Sequence, residues 1–261
     1  MRFSAFDFDV ITSPPPEPEA SIAMPQTLRL LSTLALQGAL EAAAPSLAAA
    51  LDTPIAAEFA PTKVLVDRLA GGESADVVIL TAEAVAALGD AGRLASSAVA
   101  LAASRVGLAQ APGLPHPDIA TPDALVATLR AARSIAYSGA GASGLFFAGL
   151  LERLGIAAEI NAKATVIPSG LTGALVADGR VQYAVQQISE LRLVRGIDII
   201  GPLPASVQTP AVFSAAVMAN AGGAGAGADA TRLLGLLAGP AMAAAFAASG
   251  LEPLAASAAS G

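Results

Sequence analysis

The residues of this chain best suited to holding a ligand are small hydroxyls, amides and glycines. They recur where apolar, strand-like runs hand over to helical periodicity. Ser32-Thr33 follows the first such run and Pro61-Thr62 the second. Ser138-Gly139-Ala140-Gly141-Ala142-Ser143-Gly144 follows the fifth, and Ser169-Gly170-Leu171 opens the helix after the sixth. At a helix start the first N–H groups lack intrahelical partners and carry the positive end of the dipole, so an anion can be held there without a basic side chain. One such turn is an ordinary cap. Four along one chain put an anion site on equal terms with that plainer reading.

Candidates for proton transfer are fewer. Gln186-Gln187 close a strand-like run and lead into Ile188-Ser189-Glu190. That order sets two carboxamides, which donate and accept without charge, just ahead of a carboxylate. Glu190, Lys163 and Tyr183 have the chemistry of general acids and bases, and no spacing singles one of them out. Tyr183 and Gln187 have the spacing to share a strand face. A lone lysine opening a strand, as Lys163 does, is more often solvated than catalytic.

Other chemistries find no support. Gly139, Gly141 and Gly144 fit the spacing G-x-G-x-x-G, but in an alanine–glycine background, and the next strand-like run, AKATVI, has no acidic residue for a ribose. No cofactor is expected. Cys is absent and His116, between Pro115 and Pro117, is the one histidine, so neither a metal site nor a Ser-His-Asp triad is expected. A net charge of −7 with two lysines leaves no basic stripe for nucleic acid.

Strand and helix signals alternate along the chain. Strands are expected at 28–32, 55–59, 75–81, 105–109, 134–138, 162–167, 181–187, 197–200 and 211–218. Between them lie a helix from Leu36 that Pro45 is expected to kink, helices at 62–70, 83–89, 144–154 and 171–177, and one with a clear start at Thr121-Pro122-Asp123. The segment 221–228 reads as a low-complexity loop. Alternation of this kind means α/β. The apolar stretch 233–251 is near a membrane span in length, but Ala238-Gly239-Pro240 breaks it into two short helices, so no membrane insertion is expected. Residues 1–10 carry Arg2, Asp7 and Asp9 ahead of a proline-rich acidic stretch, unlike a secretory leader. The chain as written is therefore expected in the cytoplasm, or in the periplasm if the true start lies upstream.

Four segments carry a family likeness. LRLLSTLALQGALEAAAPSLAAAL and EFAPTKVLVDRLAGGESADVVILTAEAVAAL resemble the opening of molybdate-binding-protein-like substrate-binding proteins, which have the type II periplasmic binding fold. SIAYSGAGASGLFFAGLLERLGI and LVADGRVQYAVQQISELRLVRGIDIIGPLPASVQ continue it, over residues 27–255. The resemblance implies an α/β, two-lobed fold with mostly parallel sheets and an interlobe ligand cleft. Its parts would be a disordered arm at 1–26, lobe one at 27–103 plus 210–255, lobe two at 104–209, and a tail at 256–261.

Carried over by position, the family's two lobe-one serine hydroxyls fall on Thr33 and Thr62, beside Ser32 and Pro61. Ser143, between Ala142 and Gly144, falls in the first anion turn of lobe two, and Leu171, after Gly170, at a backbone N–H position. The tyrosine of molybdate binders falls on Gln187, next to Gln186, which points away from molybdate and toward another small oxyanion or a carboxylate. The stretch QQISEL followed by GPLP resembles a branch that includes bacterial aconitate isomerase. The resemblance thus implies a monomeric protein that binds a small anion and, if exported, serves an ABC permease. The alternative it implies is an isomerase of a small unsaturated tricarboxylate. A third reading, a cytoplasmic anion sensor, rests on the proline-rich arm alone.

Overall fold

The computed structural model describes residues 27–51, 53–220 and 226–254. The expected arm at 1–26, the tail at 256–261 and most of the loop at 221–228 lie outside the described residues. The chain runs through β1 (Leu28–Thr33), a 3-10 turn (Leu34–Leu36) that continues into α1 (Gln37–Leu51), β2 (Ile55–Ala60), α2 (Thr62–Ala70), β3 (Val77–Thr81), α3 (Ala82–Asp90) and β4 (Val99–Ser104). It continues with β5 (Val106–Gln110), α4 (Pro122–Ala131), β6 (Ile135–Ser138), α5 (Ala142–Arg153), α6 (Ala157–Asn161) and β7 (Ala164–Ile167). Then come α7 (Gly173–Ala177), β8 (Tyr183–Gln187), α8 (Ile188–Leu191) and β9 (Asp198–Pro202). The last elements are β10 (Ala211–Val217), α9 (Ala226–Leu237), α10 (Pro240–Ala248) and the two-residue β11 (Glu252–Pro253).

These elements build two sheets, one in each lobe. The first has the order β11-β4-β10-β3-β1-β2 and the second β7-β6-β8-β5-β9. Helices cover both faces of the first sheet. Leu28, Leu30 and Ile79 pack with α1, α9 and α10 on one face, and Leu31, Val78 and Leu80 pack with α2 and α3 on the other. Burial on both faces explains why VVILT reads as an unbroken apolar run rather than an alternating one. In the second sheet Tyr183 and Val185 face α4 and α5, while Ala184 faces α7.

The expectation of mostly parallel sheets is corrected: four of the nine strand pairings are parallel and five antiparallel. The parallel strands are those joined by helices. Antiparallel pairing enters with β4, β5, β9 and β10, which carry the chain between the sheets and so run against their neighbours. β4 itself was not expected. Its sequence, VALAAS, is half alanine and has a single β-branched residue, Val99, a weak strand signature.

Elsewhere the local signals hold. Thr121 caps α4, its Oγ1 accepting from the Ala124 N–H at 3.2 Å. α1 stays a single helix through Pro45, because Leu40, Leu47 and Leu51 bury one side of it against the core. The 3-10 turn and α1 together, Leu34–Leu51, are long and apolar enough to cross a membrane, yet they contribute Leu36, Ala39 and Leu40 to that same core. α9 and α10 break at the expected glycine–proline pair and bend by 56°.

Two crossovers join the lobes. Only Arg105 separates β4 from β5, and residues 203–210 return the chain from β9 to β10. One buried side chain ties these segments together. Gln208 Oε1 accepts the Val106 N–H at 2.9 Å, and its Nε2 donates to the carbonyls of Leu203 at 2.6 Å and Val106 at 3.2 Å. Replacing Gln208 with Leu strands the Val106 N–H in a buried place. The expected cost is about 2 kcal/mol, read as a lowered urea midpoint at unchanged slope.

Candidate functional site

In each sheet the parallel strands point their carboxyl ends at the other lobe, so the turns that follow them meet in one pocket. Lobe one supplies Thr33 and Leu34 after β1, Pro61 after β2, and Phe213 from β10. Lobe two supplies Ser138, Gly141, Ala142 and Ser143 after β6, Gly170 before α7, and Gln186, Gln187 and Glu190 at the β8–α8 junction.

The pocket is a set of helix starts. The 3-10 turn begins after Thr33, α2 after Pro61, α5 after Gly141 and α8 after Gln187, and none of these four residues caps its helix with a side chain. The Ile188 N–H donates to the Arg105 carbonyl at 2.9 Å and the Gly144 N–H to the Gly141 carbonyl at 3.1 Å, which leaves the first N–H groups of the 3-10 turn, α2 and α5 to whatever occupies the pocket. Two buried polar atoms are left in the same condition: Thr62 Oγ1, at the first position of α2, and Gln187 Oε1 have no partner among the described residues. A buried polar atom without a partner costs free energy, which a ligand's polar groups would recover.

Glycines set how closely the backbone can approach. A Cβ on Gly144 would lie 1.6 Å from the Ser138 carbonyl oxygen, so only glycine lets the first turn of α5 press against the end of β6. Within that turn the Ser138 hydroxyl accepts from the N–H groups of Ala140 and Gly141, at 3.3 and 2.9 Å. Gly170 has φ +93°, a conformation that favours glycine, and its carbonyl accepts from Gln186 Nε2 at 3.1 Å. The G-x-G-x-x-G spacing is thus explained by packing.

Glu190 is the one ionisable side chain among the residues lining the pocket, and it is 7% exposed. Its position three residues after Gln187, the cap of α8, matches the acidic member of a capping box. Burial pushes its carboxyl up to about 7, while hydrogen bonds from the Gln186 side chain and the Gln187 backbone pull the other way. The other two proton-transfer candidates lie away from the pocket. Lys163 and Tyr183 stand at the amino ends of their strands, the edge away from the pocket. Lys163 Nζ donates to the Arg130 carbonyl at 2.6 Å, and Tyr183 is buried in the lobe-two core. Tyr183 does share the face of Gln187, but about 13 Å back along the strand.

Of the other expected residues, Thr33, Pro61, Ala142, Ser143, Gly170, Gln186 and Gln187 line the pocket. Ser32, Thr62, Gly144 and Leu171 flank it in sequence, and the Ser32 hydroxyl turns to the Thr33 carbonyl at 3.2 Å. Sequence reasoning missed Leu34 and Phe213, apolar residues that nothing in the sequence marks as cleft walls. His116 is half-exposed and bonds Asp198 at 2.7 Å, away from the pocket. Among the described residues no cluster of His, Cys, Asp and Glu could hold a metal ion.

Two mixed α/β lobes, joined by two crossovers and facing each other across a polar pocket, define the type II periplasmic binding fold. The chain belongs to the bacterial extracellular solute-binding protein family, which it matches over residues 28–252. It is 36% identical over 201 residues to an aconitate isomerase from Pseudomonas sp., covering 74% of this chain and 76% of that protein. The periplasmic molybdate-binding protein of Azotobacter vinelandii superposes with a TM-score of 0.71 at 18% identity, covering 86% of this chain and 98% of that one. For the sulfate-binding protein of Mycobacterium tuberculosis the TM-score is 0.69 at 16% identity, covering 87% of each chain.

Thr62→Val replaces an unpartnered hydroxyl with a methyl of the same shape. Unliganded protein should melt at the same or a higher temperature, with a gain of up to about 1 kcal/mol. Glu190 has a carboxyl raised by folding, so its protonated form favours the folded state. That stabilisation is complete below the ordinary value of 4.5 and is lost as pH rises through about 7. In urea unfolding at a series of pH values, wild type should lose stability relative to Glu190→Gln across this window.

Proposed function

We propose that this protein binds a small unsaturated polycarboxylate between its lobes and shifts its double bond, an aconitate isomerase-like activity. The observation that carries the reading is the charge pattern of the pocket: uncapped helix starts and hydroxyls from both lobes, no cation, and one buried carboxylate. The helix starts would receive the ligand's carboxylates, and Leu34, Pro61 and Phe213 its carbon skeleton. A pocket meant only for capture gains nothing from Glu190, whose ionised form would repel any anionic cargo, whereas a double-bond shift needs a group that takes a proton. The likeness to the Pseudomonas enzyme, at twice the identity of the molybdate-binding neighbour, supports the same choice.

A second reading has its own support. Family membership and the oxyanion-binding neighbours favour a capture protein that closes on a small anion and delivers it to an ABC permease. Both readings use one cleft, so turnover separates them.

Proton NMR of trans-aconitate incubated with the protein should show the cis isomer growing in. Broadened ligand lines without turnover would leave the capture protein. Sharp lines without turnover would send the search to inorganic oxyanions. In wild type against Thr62→Val, affinity for trans-aconitate should fall about fivefold, the loss of one hydrogen bond of about 1 kcal/mol.

A further inference from the structure

The pocket holds one group able to take a proton from carbon, and its surroundings are arranged around it. Thr172 donates to Gln186 Oε1 twice, from its backbone N–H at 2.7 Å and its hydroxyl at 2.9 Å. With the carbonyl end so occupied, the amide has one orientation, and Nε2 must point the other way. One Nε2 hydrogen goes to the Gly170 carbonyl at 3.1 Å, and the Gln186 side chain favours the ionised form of the Glu190 carboxyl. The Gln187 backbone acts in the same direction, while the carboxyl itself forms part of the pocket wall.

Resting on the isomerase reading, we propose that Glu190 is the catalytic residue that removes and returns the migrating proton, and that Gln186 is the positioning residue that aims it. The ligand class is a propene tricarboxylate, whose CH2 is flanked by a carboxylate and a double bond. The C–H bond of that CH2 breaks, its electron pair enters the allylic system, and the proton forms an O–H bond on Glu190. The O–H bond then breaks as the proton joins the carbon at the far end of the three-carbon unit. The double bond has moved, Glu190 is regenerated, and nothing is oxidised or reduced. Negative charge that builds on the ligand's carboxylates in between falls at the N–H groups opening α2 and α5, which are oriented before the reaction begins.

Capping α8 does not by itself account for an acid here. Glutamine fills the third position of a capping box as well as glutamate does, and it carries no charge to bury. A carboxyl that titrates near 7 has both its forms populated where a general base must give and take. No charged neighbour sets that value. The elements packed most closely on α8 bring only Glu41 on α1, Tyr183 on β8 and Asp198 on β9. Glu41 is bound to Gln37 and Asp198 to His116, and Arg192, next along the chain, reaches the Ala248 carbonyl.

The test compares wild type, Glu190→Gln, Glu190→Asp and Gln186→Leu for isomerisation of trans-aconitate across pH, with calorimetric binding and thermal melts. Glu190→Gln keeps the cap and should bind trans-aconitate within a few-fold of wild type, while kcat falls by about 100-fold or more. Glu190→Asp, which keeps the acid but withdraws it by one methylene, should lose at least about 10-fold in kcat with the ligand still bound. Gln186 favours the ionised carboxylate, so Gln186→Leu should move the rising limb of the kcat/KM profile to higher pH. A purely structural role would lower activity equally at all pH values. Wild-type turnover that survives in Glu190→Gln or is undiminished in Glu190→Asp overturns the assignment of Glu190. An unshifted limb in Gln186→Leu overturns the positioning role. Absence of turnover in wild type overturns the isomerase reading itself.

Discussion

An anion held without a cation must be met by oriented N–H groups and hydroxyls, and that single requirement runs through the structure. Helix starts supply such N–H groups, and they lie at the carboxyl ends of parallel strands. Hence the two sheets present those ends to each other, and the turns after β1, β2, β6 and β8 share one pocket. The antiparallel strands serve the same end from the other side. They carry the chain from lobe to lobe, which lets two separate cores form around a common gap.

The requirement also explains what the chain can do without. Among the described residues, no lysine or arginine lines the pocket of this acidic protein. Against that neutral, electropositive background a buried carboxyl stands out, because an acid is the group an anion site should exclude. Glu190 is tolerated through burial that raises its pKa and through two hydrogen bonds that stabilise its ionised form. Gln186 and Gln208 are both held by buried hydrogen bonds at different scales: Thr172 anchors the first within lobe two, and the second ties together the crossovers on which the lobes meet.

How much of this the sequence disclosed depended on which physical signal each residue carried. Thr33, Thr62, Ser143 and Gln187 were legible because a polar residue between a strand-like run and a helical one has few other reasons to be there. Phe213 and Leu34 were not, since an apolar residue looks the same in a core and in a cleft wall. β4 was hidden by alanine, and the antiparallel pairings by the fact that α/β alternation says nothing about which strands cross between sheets. Lys163, Tyr183 and Glu190 are equivalent proton carriers by residue type, and chain direction separates them. The first two open their strands and the third follows the end of one, which places Glu190 alone at the edge that holds the pocket.

A small polycarboxylate, in place of an inorganic oxyanion, is the proposed occupant of this cleft. Calorimetric titration of the wild-type protein with trans-aconitate, and separately with molybdate and sulfate, distinguishes the two. A single saturable site for the tricarboxylate is expected, with no binding of either oxyanion at the same concentrations. Saturation by molybdate or sulfate, with no heat from the tricarboxylate, would contradict it.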